Sequence, residues 1–412
     1  MSLPDPDVPA EAAPEGRWRA LTLLAVAELL GMSLWFSASA SVPAIQAEWR
    51  LSDSAAAWLT LAVQLGFVLG TLVSALSNLP DVVNTRRLFA ASALLAALSN
   101  AAFGLFAKGP GLGIPLRLAT GFFLAGVYPP GMKIMATWFR RGRGLALGVL
   151  VGALTLGKAS PYLVNAIAGS GWRGHVLFVS LLAVFGGTLV LFFVGDGPYS
   201  TGNAPFNIRQ AGEVFRNRGV RLANFGYFGH MWELYAMWTW APVMIRASFA
   251  VSGSSPVLAE AGSFLVLGAG AAGCVAAGFL ADRMGRTLVA STALVISGTC
   301  CLVVGFLFGG APAVLLAVMA VWGASVVADS AQFSACVTEL GDPRYLGTAL
   351  TLQVCLGFLL TTFSIRMMPP LVKAVSWRWA FAFLAPGPVF GVLSMLRLRS
   401  LPEAAKIAQG RR

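Results

Sequence analysis

The sequence predicts an all-α membrane protein of twelve transmembrane helices arranged as two pseudo-symmetric six-helix bundles. Three observations carry that prediction. First, 57% of the residues are hydrophobic and only 11% are charged, against about 25% charged in ordinary soluble domains. A water-soluble globule could not cover itself with so few charges. Second, twelve apolar runs reach about 20 residues or more, enough to cross roughly 30 Å of hydrocarbon as helix. Third, the chain echoes itself. Glu28-Leu29-x-x-Met32-x-x-Trp35 returns as Glu233-Leu234-x-x-Met237-x-x-Trp240, and Trp172-Arg173 returns as Trp377-Arg378. Both offsets are 205 residues, close to half of 412. Two copies of one unit are implied, each placing an acid in its first apolar run.

The runs cover 19–43, 55–78, 87–107, 112–138, 144–167, 174–195, 220–245, 257–280, 287–309, 312–338, 346–368 and 379–397. Residues 1–16 are rich in Pro and Ala and carry Asp5, Asp7, Glu11 and Glu15. A secretory signal begins with positive charge, so this reads as a disordered cytoplasmic tail. The first bundle spans 17–196, a polar linker 197–219, the second bundle 220–399 and a tail 400–412. Pro129-Pro130, Pro161 and Pro369-Pro370 mark kinks or ends. Gly148-x-x-x-Gly152 with Gly157, and Gly262, Gly268, Gly270, Gly273 and Gly278, allow close backbone approach.

Composition also excludes function classes. G-x-x-x-x-G-K-[ST] is absent, so ATP is not the expected drive. The five cysteines all lie in apolar runs without a C-x-x-C pair and read as packing residues. His175 and His230 are the only histidines, a poor supply for a metal site; no metal or cofactor is expected. The net charge of +12 would suggest nucleic acid in a soluble protein. Here the basic residues cluster in short loops. Nineteen Lys and Arg fall on the side of the termini and six on the other, with Arg117, Lys133, Lys158 and Arg366 inside the runs. That bias places both termini in the cytoplasm and makes the bilayer, not nucleic acid, the partner.

Local motifs carry a family resemblance. Gly278-Phe279-Leu280-Ala281-Asp282-Arg283-Met284-Gly285-Arg286 resembles the loop between helices 8 and 9 of the major facilitator superfamily. Asn78-Leu79-Pro80-Asp81-Val82-Val83-Asn84-Thr85-Arg86-Arg87 is a degenerate counterpart that keeps Asp81 and the arginines but lacks the leading Gly. Asp and Arg at a tight turn can pair with each other or with a helix end. In the family this motif latches the two halves, which implies gating roles for Asp81, Arg86, Asp282, Arg283 and Arg286. Arg117-x-x-x-Gly121-x-x-x-Ala125-x-x-x-Pro129 resembles the helix 4 motif that the family links to proton coupling in exporters. Trp138-Phe139-Arg140-Arg141-Gly142-Arg143-Gly144 is similar to the helix 4–5 junction of anion-carrying members. The general pattern looks closest to nitrate/nitrite and cyanate carriers, although the arginines that nitrate carriers place in helices 2 and 8 are absent. The resemblance implies the major facilitator fold, with helices 1, 4, 7 and 10 lining a central cavity and 3, 6, 9 and 12 facing lipid.

A charge near the bilayer centre costs about 2.5–3.5 kcal/mol or more on insertion scales, so each needs a partner, water or a function. Glu28, Arg117, Lys133, Lys158, Glu233 and Asp329 fall in helices 1, 4, 4, 5, 7 and 10, whereas the bodies of helices 3, 6, 9 and 12 carry none. At 1.5 Å per residue, Glu28 lies about 14 Å from Arg19 and Glu233 about 18 Å from Arg221, near the midplane. Asp329 and Lys158 reach similar depths. A carboxyl shut away from water can exchange a proton near neutrality, so Glu28, Glu233 and Asp329 are candidate proton carriers. His230 lies one helical turn before Glu233 and could tune it. Lys158 and Arg117 are candidate anion contacts, with Trp35, Trp240, Tyr128 and Tyr235 as walls. Lys133 sits nearer the interface and is grouped with the gating residues. Each has a structural alternative: an ion pair, an interhelical hydrogen bond, or core packing for the rings.

The function expected is secondary active transport by alternating access. It is expected to be proton-coupled, as symport or antiport, and to carry a small anionic or zwitterionic solute across the cell membrane as a monomer. The alternative is a proton-driven exporter of lipophilic compounds. A sensor or intramembrane enzyme is disfavoured: no nucleophile–base pair occurs at useful spacing.

Overall fold

The computed structural model describes residues 14–139, 142–168, 171–199, 211–342 and 346–411, and it is built of helices joined by short turns. Most of the expected N-terminal tail and the middle of the linker lie outside the described residues, as do Arg140 and Arg141. Twelve helices follow in order: α1 (Arg17–Met32), α2 (Asp53–Leu76), α3 (Thr85–Phe106), α4 (Pro110–Ala136), α5 (Arg143–Ala168), α6 (Gly171–Phe193), α7 (Arg218–Val251), α8 (Pro256–Met284), α9 (Arg286–Val303), α10 (Pro312–Leu340), α11 (Leu346–Ala380) and α12 (Pro386–Arg399).

Among the described residues nine helical stretches are by themselves long and apolar enough to cross a membrane. Leu346–Arg399 is one of these and contains both α11 and α12, divided where Ser376 takes a positive φ of 59°. α1 falls short at 16 residues. α7 is long enough at 34 residues but is diluted by Asn224, His230, Glu233 and its Trp and Tyr rings.

The first run was expected as one helix over 19–43 and is instead broken. Helix stops at Met32, turns through Ser33–Phe36, and resumes over Ser37–Ala40 and Val42–Trp49. Ser33 donates to the Leu30 carbonyl at 2.6 Å and Ser37 to the Leu34 carbonyl at 3.0 Å. Such back-bonding competes with the helical ladder. α4 divides between Leu124 and Tyr128, where Pro129 and Pro130 cannot donate to the preceding turn. α10 divides at Asp329.

The duplication is visible in the packing. In the first half α1 packs on α5 and α6, α2 on α4, and α3 on α6; in the second, α7 packs on α11 and α12, α8 on α10, and α9 on α12. Close approaches repeat too. A Cβ at Gly121 of α4 would lie 1.9 Å from the Val63 carbonyl oxygen of α2, and one at Gly323 of α10 would lie 1.8 Å from that of Val266 in α8. Only glycine permits either contact. The halves meet along α5 with α8 and α2 with α11. Outward flanks are apolar: Leu98 of α3, Leu181 and Phe192 of α6, Leu302 of α9 and Leu393 of α12 are all exposed, as a lipid-facing surface requires.

Candidate functional site

At the junction of the halves the break in α1 turns Trp35 toward α5 and α7. Lys158 of α5 lies with its ammonium 4.0 Å from the Trp35 ring centroid, 4.7 Å from Tyr235 and 5.1 Å from Trp238. Its Nζ also donates to the Tyr235 hydroxyl. Phe67 of α2 and Phe358 of α11 complete the surround, each packed on Trp35 at 5.2 and 5.8 Å. The cage therefore draws rings from both halves and is shut off from both faces: Trp35 is 0%, Lys158 2%, Trp238 1% and Tyr235 3% exposed. A desolvated cation–π contact contributes about 2 kcal/mol, which offsets part of the cost of burying the ammonium.

Among the described residues no carboxylate touches Lys158. The nearest compensating charge is Glu28 of α1, within electrostatic range. Glu28 is fully buried, and among the described residues neither of its oxygens has a hydrogen-bond partner. Two close approaches bring the pair together. A Cβ at Gly157, next to Lys158, would lie 2.2 Å from the carbonyl oxygen of Leu29, next to Glu28. A Cβ at Gly131 of α4 would lie 2.8 Å from Oε2 of Glu28. Tyr128, half-buried at the start of the second piece of α4, is also in electrostatic range of Glu28.

Arg117 is not in this cage. Its guanidinium is fully buried and is occupied by the α1 break: Nη1 donates to Leu34 O at 3.1 Å, Ser37 Oγ at 3.0 Å and Asn100 Oδ1 at 2.7 Å, Nη2 to Trp35 O at 2.5 Å, and Nε to Leu59 O at 3.3 Å. A cation among carbonyls freed at a helix end is favourable. It fixes the backbone that presents Trp35.

The other two acids are partnered inside the second half. Glu233 accepts from Trp322 Nε1 at 2.5 Å, Ser297 Oγ at 2.9 Å and Cys301 Sγ at 3.1 Å, so α9 and α10 cradle it. Asp329 lies at the α10 division, with Oδ1 2.8 Å from His230 Nδ1, both residues 1% exposed. Among the described residues neither atom has another partner. His230 thus faces Asp329 and not Glu233, the acid on its own helix. Trp240 donates to Ile365 O of α11 at 3.1 Å, outside the cage. The seven-residue spacing to each Glu does not place the two tryptophans alike, because the α1 break intervenes before Trp35.

The gating candidates gather at the face carrying the termini. Asp282 presses its carboxylate on Gly144 at the start of α5, where an added Cβ would meet its oxygens at 2.5 Å. An acid at a helix N-terminus of the other half is a favourable contact across the junction. Arg286 pairs with Glu339 at 2.7 Å and reaches Gln332 at 3.2 Å, with Asp282 at 4.0 Å. Arg283 stacks on Phe279. In the first copy Arg86 pairs with Asp196 at 3.2 Å; the Asp81 side chain lies outside the described residues. Lys133 is half-buried in the last turn of α4. The segment after α12 lies against α10, with Ile407 buried and Ala408 N donating to Glu339 at 2.9 Å.

Sequence reasoning missed Trp238 as a site residue, along with Phe67, Phe358 and Glu339. Trp238 had a signal: it lies three residues from Tyr235, on one helical face. Phe67, Phe358 and Glu339 are brought in by tertiary packing alone. The five cysteines are free and buried.

Residues 24–365 match the Major Facilitator Superfamily. The chain is 24% identical over 308 residues to a probable L-galactonate transporter of Escherichia coli, covering 65% of this chain and 67% of that protein. It is 26% identical over 211 residues to a probable actinorhodin transporter of Streptomyces coelicolor, covering 47% of this chain and 35% of that protein. It is 30% identical over 181 residues to a puromycin resistance protein of Streptomyces alboniger, covering 41% of this chain and 35% of that one. The chain thus spans about a third of the length of the latter two. These relatives lend no support to the likeness to nitrate/nitrite and cyanate carriers. The profile match covers most of the chain, the paired helix packing fits it, and the chain belongs to the Major Facilitator Superfamily of membrane transporters.

Proposed function

We propose that this transporter is a proton-coupled carrier of a small hydroxylated carboxylate, working by alternating access in the cell membrane with both termini in the cytoplasm. The observation that carries the reading is Lys158: a buried ammonium at the junction of the halves, ringed by aromatics and, among the described residues, touched by no carboxylate. The rings give apolar walls for a carbon skeleton and the ammonium a charge for its carboxylate. The named cargo of one relative, L-galactonate, is a solute of this class.

Charge balance supplies the coupling. With the cage empty of solute, Lys158 and Glu28 compensate each other at a distance. A carboxylate arriving on Lys158 takes over that compensation. Glu28, which has no hydrogen-bond donor, is then an uncompensated buried charge, costly enough that proton uptake is favoured. One anion then travels with one proton. Glu233 has three donors to hold it and serves the second bundle, while Asp329 with His230 forms a second candidate proton site. Each chain encloses a whole cage, so a monomer suffices. Opening toward either face requires release of the Asp282 contact on α5 or of the opposite rim.

The test is uptake of L-galactonate into proteoliposomes under an inward proton gradient. Acceleration relative to a collapsed gradient supports the coupling, and indifference to the gradient removes it. A second reading, export of lipophilic compounds, rests on the aromatic lining and the two relatives named for actinorhodin and puromycin. Puromycin sensitivity of a deletion strain that the gene reverses and its Glu28→Gln variant does not would favour it.

A further inference from the structure

A cavity lies on the face opposite the termini, apart from the cage and from the Asp282 contact on α5. It encloses about 530 Å³ between the halves and is lined by residues of both, among them Ala40, Asn165, Arg246 and Glu260. Ligand sites for small molecules commonly fall between about 300 and 1,000 Å³. Two of its polar side chains converge on one atom, while Ser41 and His175 pair separately at 2.7 Å. The Ala40 carbonyl, at the end of the helical piece after the α1 break, accepts Asn165 Nδ2 of α5 at 3.2 Å and Arg246 Nη2 of α7 at 3.1 Å. Arg246 is held in turn by Glu260 of α8, through Nε at 2.5 Å and Nη2 at 3.0 Å. A guanidinium has five N–H donors. The Nη1 pair of Arg246 makes no hydrogen bond to any described residue, and the Asn165 carbonyl oxygen makes none either. A charged donor and an amide acceptor are therefore both free beside the cavity.

This cavity stands directly over the cage. Lys158, Tyr162 and Asn165 share one face of α5, and seven residues rise about 10 Å. Trp238 and Arg246 share a face of α7, eight residues and about 12 Å apart. Between the levels lie Tyr162, 1% exposed with its ring 5.8 Å from the Arg246 guanidinium carbon, and Phe36, edge-on to Trp238 at 6.3 Å.

We infer that the upper cavity is a second solute station, taking a small hydroxylated carboxylate with the acid on Arg246 Nη1 and a hydroxyl on Asn165, above a plug of Tyr162 and Phe36. It rests on the carboxylate-carrier reading above. Arg246 is also the bridge from α7 to α1. A carboxylate that draws the guanidinium away from the Ala40 carbonyl loosens the contact closing this rim. The solute at the upper station thereby promotes its own passage to Lys158.

The experiment uses the full chain in right-side-out cells, with Ala250→Cys at the cavity rim as reporter; the five native cysteines are buried. The rate of labelling by a membrane-impermeant maleimide is measured against L-galactonate concentration, beside transport of the same acid. Protection by L-galactonate that persists in Lys158→Gln, where transport is lost, supports the station. Arg246→Gln, and Arg246→Lys in case the first does not fold, should then raise the protecting concentration about tenfold or more. Asn165→Ala should raise it less. Protection that disappears in Lys158→Gln yet survives the Arg246 variants overturns the station and leaves the cage reading standing. A chain that transports L-galactonate without any protection overturns it equally. A chain that neither transports the acid nor is protected by it overturns the solute class, and this station with it.

Discussion

Lys158 of α5 rests 4.0 Å above the ring of Trp35, which lies in the break of α1. The ammonium is compensated by π faces and by a carboxylate at a distance, and this leaves its charge available to a solute.

The contact depends on how closely α1 and α5 approach at Gly157. Gly157→Val would drive a branched side chain into the Leu29 carbonyl. Overpacking of this kind costs about 1–3 kcal/mol. We expect a lower melting temperature of the purified protein and loss of uptake, with Gly157→Ala between the wild type and Gly157→Val in both assays.

Arg117 holds three backbone carbonyls and the Asn100 amide oxygen with one planar fork. Lysine has a point charge and no fork. Arg117→Lys should destabilise the protein by at least about 1–3 kcal/mol, the cost of a single buried acceptor left without its donor. Because Trp35 is then misplaced, the apparent KM for the solute should rise in any protein that still folds. Unchanged KM with normal melting would remove the positioning role.

Glu28 and Glu233 look equivalent in sequence and should behave differently. Glu233→Gln disturbs a carboxylate with three donors, so its main effect should be a lowered melting temperature. Glu28→Gln disturbs no hydrogen bond and removes only the distant compensation of Lys158, so its melting temperature should fall less than that of Glu233→Gln. Melting curves of the two variants side by side check this; a larger loss in Glu28→Gln contradicts it.

The 205-residue echo, read as a duplication, anticipates the matching helix contacts in both halves, since both copies inherit one set of packing faces. The buried positions of Glu28, Lys158, Glu233 and Asp329 were legible for a simpler reason: ionisable residues in apolar runs are too costly to be incidental. What each one faces was not legible. The α1 break depends on Arg117 arriving from α4, and the partners of Glu233 come from α9 and α10. Arg286 resembles a latch to Asp282 in sequence, yet its closest carboxylate is Glu339. Periodicity orders residues along a helix, but it does not identify the neighbour across the groove.

Outside the apolar core, the Trp172-Arg173 echo has a measurable consequence. Glu48 accepts from the Trp172 indole and from Arg173, both at 2.6 Å. The indole hydrogen bond, with help from Arg173, holds the Glu48 carboxyl below its usual value near 4.5. A carboxyl lowered on folding contributes stability above its unfolded value and loses it as pH falls through the folded one. Glu48 is largely exposed, so the contribution is under about 1 kcal/mol. The melting difference between wild type and Glu48→Gln should be present at neutral pH, shrink as pH falls below about 4.5 and vanish once it passes the lowered folded value. A difference that grows on acidification would contradict the assignment.

The central claim is that Lys158 receives the anion and Glu28 the accompanying proton. Counterflow of L-galactonate separates the two, because exchange between loaded compartments needs binding but no net proton movement. In proteoliposomes, Glu28→Gln should retain counterflow and lose acceleration by an inward proton gradient, whereas Lys158→Gln should lose both. Gradient-driven uptake that survives in Lys158→Gln would contradict the account.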